Sequence, residues 1–208
     1  MKAPWASFAY AVAMLSRPPG AESAVSDPLR SPATPRPAAI RPLPTETGRK
    51  PFSTATLGAI GRVRRHIYIE NPHLFDKRVI VALVRVLNRG VDVRVILPRV
   101  NDFKTGGRSN LVLANHFLEH AVRVHSCPGM THVTALLVDD WVCLGSGNLI
   151  HFSLRLCHEP NLATSDPASR SGLKRDLFEA DSACSCDLTK PITLGWSDLL
   201  ADLMLEGF

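Results

Sequence analysis

The feature that most constrains this chain is a change of hydrophobic period between residues 76 and 98. Asp76 precedes Val79, Ile80, Leu83, Val84 and Leu87, a spacing that lays one apolar stripe along a helix, and Gly90 ends it. From Val91 to Leu97 the period drops to two: valines and a leucine flank Asp92 and Arg94, and Pro98 breaks the run. A helix feeding directly into a strand calls for a sheet covered by helices. The remaining signals agree. Ser53 is positioned to cap a helix to about Arg65 bearing Leu57, Ile60 and Val63, and His66–Glu70 is a β-rich run closed by Asn71-Pro72. Asn101–Arg108 is a polar, glycine-bearing loop, Ser109–His120 a helix, and Val122–His125 a short strand. Leu136–Val138 and Trp141–Leu144 form a hairpin through Asp139-Asp140, and Ser169–Ser182 and Ser197–Leu205 close the pattern as helices. The expected class is α/β, a mixed β-sheet flanked by helices, with no internal repeat.

Residues 17 to about 50 do not fit that pattern. Prolines at 18, 19, 32, 35, 37, 42 and 44 forbid a helix or a sheet ladder, and little apolar surface is present to offset chain entropy. Residues 1–50 are therefore expected to be a disordered, proline-rich leader or linker, with one folded domain over 51–208. Lys2 and the apolar run Ala3–Leu15 have the length of a signal-peptide core, so 1–24 is a weak targeting candidate. Arg17-Pro18-Pro19 and the lack of a clean cleavage pattern stand against it. No run reaches the roughly 18 apolar residues that a membrane span needs. The balance of 24 basic against 19 acidic residues suits phospholipid headgroups or nucleic acid, and equally an ordinary solvated surface. Five cysteines, none in a metal-type pairing, impose no disulfide framework.

The chemistry-bearing residues gather between 132 and 159. His132 opens an apolar strand, Asp139 follows seven residues later, and Gly145-Ser146-Gly147-Asn148 is a turn rich in hydroxyl and amide groups. On an extended strand residues 132, 134 and 136 share a face, so His132 and Thr134 would point together into a cleft. Glu159 lies a little beyond.

This pattern resembles the phospholipase D superfamily, whose signature is His-x-Lys-x4-Asp, then Gly-Ser-x-Asn and a later acidic residue. His132, Asp139, Gly145, Ser146, Asn148 and Glu159 match it. Ile67-Tyr68-Ile69-Glu70-Asn71-Pro72 and the run Arg89–Pro98 resemble the bacterial cardiolipin synthase branch, in its C-terminal lobe, and the likeness covers about Phe52–Asp181. The resemblance implies one phospholipase D-like lobe that works on phosphodiesters without metal or cofactor. His132 would be nucleophile or general acid/base, Glu159 would orient an imidazole, and Asp139 would complete the catalytic set mainly by holding the turn. Thr134, Ser146 and Asn148 would be the phosphate-binding groups. It further implies a phospholipid or other phosphodiester substrate, a membrane surface, and the bacterial cytoplasm or inner-membrane periphery. Nucleic acid is the lesser alternative.

Two departures qualify what the resemblance implies. Thr134 stands where the family has lysine, a loss of cationic charge that commonly costs about 10²–10³ in rate. Arg108 and Lys104 are the nearby candidates to replace it. Only one motif is present, so a complete site needs a homodimer or a separate partner lobe; otherwise the lobe binds phosphate esters without turnover. A competing motif, His116-Phe117-Leu118-Glu119-His120, fits a zinc-peptidase pattern but lacks a third ligand. Tyr68, Glu70 and His73 end a strand at the expected cleft edge, where ordinary packing is the simpler reading.

Overall fold

The computed structural model of the protein describes residues 40–46, 48–101 and 104–205, the side chains of 104–106 and 201–205 excepted. Most of the expected leader, including the targeting candidate at 1–24, lies outside the described residues. The described chain forms an eight-stranded mixed sheet with helices on both faces. Its centre is parallel: β2 (His66–Glu70), β3 (Asp92–Pro98) and β4 (Arg123–Cys127). On the β2 side follow, all antiparallel, β5 (Thr134–Val138), β6 (Trp141–Gly145), β7 (Asn161–Thr164) and β1 (Arg41–Pro42). On the other side β8 (Cys186–Leu188) pairs antiparallel with β4.

Local chemistry accounts for most element boundaries. Helix α1 runs Pro51–Arg62 with proline in its first turn, where no N–H is needed, so Ser53 is a buried residue of the helix and not its cap. Helix α2, Lys77–Leu87, starts where the Asp76 carboxylate accepts the N–H groups of Arg78 at 3.0 Å and Val79 at 3.3 Å. It is followed by Gly90 at φ +80°, a conformation that favours glycine. Helix α3 spans Lys104–Glu119, so the second half of the expected loop is helical. Its early turns are fastened to the strand ends by the Asn110 amide, which donates to Pro72 O at 3.1 Å and Pro98 O at 3.4 Å. That tertiary anchorage outweighs the poor helix propensity of Gly106 and Gly107.

Beyond β6 come a short helix α4 (His151–Arg155) and β7, neither expected from periodicity. The helix expected over Ser169–Ser182 is α5 (Pro167–Leu173), a π-helical turn (Lys174–Glu179) and α6 (Ala180–Ala183), capped by Asp166 on Ser169 N–H at 2.7 Å. Helix α7 is Trp196–Leu205. Residues 41–46 are not free of the fold either: Leu43 and Thr45 bond the backbone of Asn161 and Glu159, and Thr45 is fully buried.

Each sheet face has its own core. Ile60, Leu83, Phe117, Val95, Leu136 and Cys143 pack beneath α1, α2 and α3. Tyr68, Ile96, Leu137, Val142, Leu177 and Phe178 pack on the opposite face, under the α5–α6 segment. No described helix is long and apolar enough to cross a membrane.

Candidate functional site

The carboxyl ends of β2 and β3, the start of β5 and the end of β6 lie at one edge of the sheet. Thr134 pairs with Gly145 there, and Glu70 with Ala135. His132 is two residues ahead of β5, outside the strand, exposed, and makes no hydrogen bond or ion pair to another described residue. Ser146 and Asn148 lie in the turn after β6, and Glu159 is two residues ahead of β7. The fold thus brings His132, Thr134, Ser146, Asn148 and Glu159 to one end.

Close packing shapes this turn. A side chain on Gly145 would collide with the Asn161 amide and approach Pro160 O to 2.5 Å, and one on Gly147 would come within 2.7 Å of the Phe52 ring. Glycine lets the buried Asn161 amide reach the turn, where its Oδ1 accepts Gly147 N–H at 3.1 Å. Asn71, fully buried after β2, accepts the N–H groups of His73 at 3.0 Å and Leu149 at 3.4 Å. Glu159 receives the hydroxyls of Ser146 and of Ser153, the latter at 2.9 Å. No imidazole touches it among the described residues, but a carboxylate has lone pairs left for a further donor.

Several polar atoms at this end are buried without a donor or acceptor: Asn148 Oδ1, Asn71 Nδ2, Asn110 Oδ1 and Glu70 Oε2. Thr134 is different. It is buried, and its hydroxyl donates to the Gly145 carbonyl across the hairpin, so its proton is already committed. Arg108 does not replace the missing lysine. Its guanidinium is held by Ser197 and, at 2.7 Å, by the Asp198 carboxylate of α7. The Lys104 side chain lies outside the described residues.

Asp139 is set apart from the rest. It sits at the far end of β5, about 17 Å from Thr134 for a five-residue strand. Its carboxylate accepts three backbone N–H groups, from Arg64 at 2.7 Å, Arg65 at 2.9 Å and His66 at 3.0 Å. Partial burial works against ionisation, but those donors and the Arg65 charge hold the carboxyl below its ordinary range. Its φ of +49° closes the β5–β6 turn. Asp139 is thus held by backbone donors at the end of β5 opposite Thr134 and does not meet His132. An open depression of about 900 Å³, lined by Arg41, Arg62, Asp139, Trp141 and Asp166 among others, also lies at that end and contains none of the polar cluster. His116, Glu119 and His120 bring ligand atoms within 4.8 Å of one another on the exposed end of α3, away from His132.

Asn161, Asn71 and Ser153 escaped the sequence reading. Only the Asn71-Pro72 strand ending carried any signal, because Asn71 and Asn161 act on the backbone of Leu149 and Gly147, set well apart in the chain, and Ser153 reaches Glu159 across a turn that no motif marks.

Comparison with known proteins follows the same lines. The family model described as "Cardiolipin synthase, PLD-like domain" matches residues 57–180. The chain is 37% identical over 113 residues to a cardiolipin synthase A of Pseudomonas putida (strain GB-1), covering 53% of this chain and 24% of that protein. It therefore spans about a quarter of the curated relative's length. The fold resembles a phospholipase D family member, Nuc, from Salmonella typhimurium, with a TM-score of 0.62 at 16% identity, covering 74% of this chain and 99% of that one. It also resembles phosphatidylserine synthase of Haemophilus influenzae Rd KW20, with a TM-score of 0.64 at 17% identity over 82% of this chain and 45% of that one.

Proposed function

This chain belongs to the phospholipase D-like domain family of the cardiolipin synthases, and from that premise we propose that it supplies one half-site for phosphodiester transfer or hydrolysis on phospholipids. The observation that carries this reading is the Glu159 carboxylate, held by Ser146 and Ser153 at the same sheet edge as His132 and the unfilled Asn148 carbonyl. In this reading the His132 imidazole attacks phosphorus, a P–N bond forms, and the P–O bond to the leaving alcohol breaks. An imidazole from a second half-site protonates that alkoxide, then takes the proton from water or an acceptor alcohol, whose attack frees His132. Asn148 donates through its amide N–H groups to the non-bridging oxygens, where charge accumulates, and Ser146 joins it by turning its hydroxyl from Glu159 to the phosphate. Glu159 keeps acceptor capacity for the opposing imidazole, whose tautomer it would fix. The second half-site comes from another copy of this chain or from a partner lobe, at a membrane surface.

Thr134 favours a second reading, a lobe that binds phosphate esters but turns them over poorly. Its hydroxyl is engaged by Gly145 O and Arg108 by Asp198, so no described cation takes the lysine's place at the phosphate. The charge lost is worth roughly 2.7–4 kcal/mol of transition-state stabilisation. Turnover of phospholipid vesicles and of bis-p-nitrophenyl phosphate separates the two. Turnover by the wild type that vanishes in His132→Ala supports the transferase half-site. An inert wild type with activity appearing in Thr134→Lys, by about 10²-fold or more above background, establishes the impaired lobe. Activity indifferent to His132→Ala overturns both.

A further inference from the structure

The end of α3 carries three chemistry-bearing side chains that the half-site does not use. His116, Glu119 and His120 stand at positions i, i+3 and i+4, which helical geometry stacks on one face. All three are exposed, one ligand atom from each lies within 4.8 Å of the other two, and the two imidazole rings are 4.6 Å apart. Glu119 is thus the third ligand that the histidine pair lacks in sequence. The backbone beneath them is fixed. Phe117 is fully buried in the core under α3, and its carbonyl accepts the N–H groups of His120 at 3.1 Å and Val122 at 3.0 Å. Ala121 then turns the chain out of the helix at φ +60°.

Hydrogen bonding prepares His120 as a ligand. Its Nδ1 lies 2.9 Å from the His116 carbonyl oxygen. A carbonyl only accepts, so Nδ1 carries the proton and the neutral ring keeps its lone pair on Nε2. A backbone carbonyl in that place is a common outer partner of a metal-binding histidine, because it fixes the tautomer and makes the free nitrogen more basic. The cluster also sits where the helix ends, and the partial negative charge of the last carbonyls favours a cation there.

We propose that His116, Glu119 and His120 form a binding site for one divalent transition-metal ion of the zinc class. Two imidazoles and a carboxylate suit zinc, nickel or copper(II), whereas magnesium and calcium take oxygen ligands. Zinc holds nitrogen and oxygen ligands at about 2.0–2.2 Å, which puts tetrahedral ligands about 3.4 Å apart. Closing to that spacing takes rotation of exposed side chains and no movement of the backbone. Three ligands leave the remaining position to water. A carboxylate bound to the ion cannot also be the general base that a zinc peptidase needs, so the cluster is a binding site and not a peptidase centre. Nor does it serve the phosphodiester chemistry. Helix α3 ends just ahead of Arg123, where β4 begins, whereas His132 lies beyond the opposite ends of the parallel strands. By joining His116 to His120 across Glu119, the ion would clamp the last turn of α3.

Calorimetric titration of the full chain with Zn²⁺, under reducing conditions, tests the site. The wild type is expected to bind an ion that shifts the amide resonances of residues 116–120 and raises the unfolding temperature. His116→Ala and His120→Ala are each expected to weaken that binding at least about tenfold, and the double variant to lose it together with the thermal shift. Glu119→Gln is expected to weaken it less than either. All three side chains are exposed, so the variants keep the fold, which circular dichroism checks. His132→Ala and the pair Cys184→Ser and Cys186→Ser are expected to bind as the wild type does. A wild type that takes up no Zn²⁺ overturns the proposal. So does binding that is equal in the double histidine variant, or that disappears in the cysteine variant instead.

Discussion

The two ends of β5 bear the two halves of one short motif, and they are built to opposite rules. At the Asp139 end every oxygen of the carboxylate is used, with three backbone donors converging on it and Arg65 beside it. At the His132 end the histidine is exposed and bonds to no other described residue, and Asn148, Asn71 and Asn110 each keep a buried polar atom without a partner among the described residues. Unused hydrogen-bonding capacity inside a protein is costly, so its concentration at one edge marks where a ligand would complete the set. The interval between His132 and Asp139 is thus the length of a strand that separates an end with unfilled polar groups from one whose carboxylate is fully engaged.

The largest test of that contrast exchanges the two readouts. His132→Ala is expected to lower phosphodiester turnover by at least about 10³-fold, roughly 4 kcal/mol, while urea denaturation shifts by less than about 0.5 kcal/mol. Asp139→Ala is expected to do the reverse, costing about 2–3 kcal/mol of stability by stripping three backbone donors, one of them part-buried, of a charged acceptor. Loss of turnover in folded Asp139→Ala equal to that in His132→Ala would erase the distinction. Gly145→Ala should cost on the order of 3 kcal/mol, because the new methyl meets Asn161 and the Pro160 carbonyl, which cannot swing away as a flexible side chain would. Unchanged denaturation of that variant would show that the turn can open.

What could be read from sequence divides along a similar boundary. Helix α2 and strand β3 were legible because cap, stripe, glycine stop and alternation are all local to residues 76–98. Strands β1, β7 and β8 were not, since runs of two to four residues with polar members become strands only when a neighbour pairs with them. The second half of the Asn101–Arg108 segment reads as loop but is helical, held by contacts from Asn110 to strands that precede it. In the site, His132, Ser146 and Asn148 stood out through motif spacing. The clasp of Asn161 on Gly147 and the seating of Glu159 between two serines depend on β7 returning beside β6, which no local signal announces.

The smallest expected effect probes charge against geometry at the structural end. Asp139→Asn keeps one carbonyl acceptor and loses the charge, so at pH 7 it should cost only about 1–2 kcal/mol, less than the alanine variant. The folded carboxyl titrates below its ordinary value of 3.8. Its contribution is therefore present above the ordinary range and is lost as pH falls through the folded value. The gap between wild type and Asp139→Asn should accordingly be full at pH 7 and close in strong acid, once the pH has fallen through the folded value, when measured by urea denaturation. A gap that stays constant with pH would assign the hold of this end of β5 to the left-handed turn at φ +49° alone, with the carboxylate's charge contributing nothing.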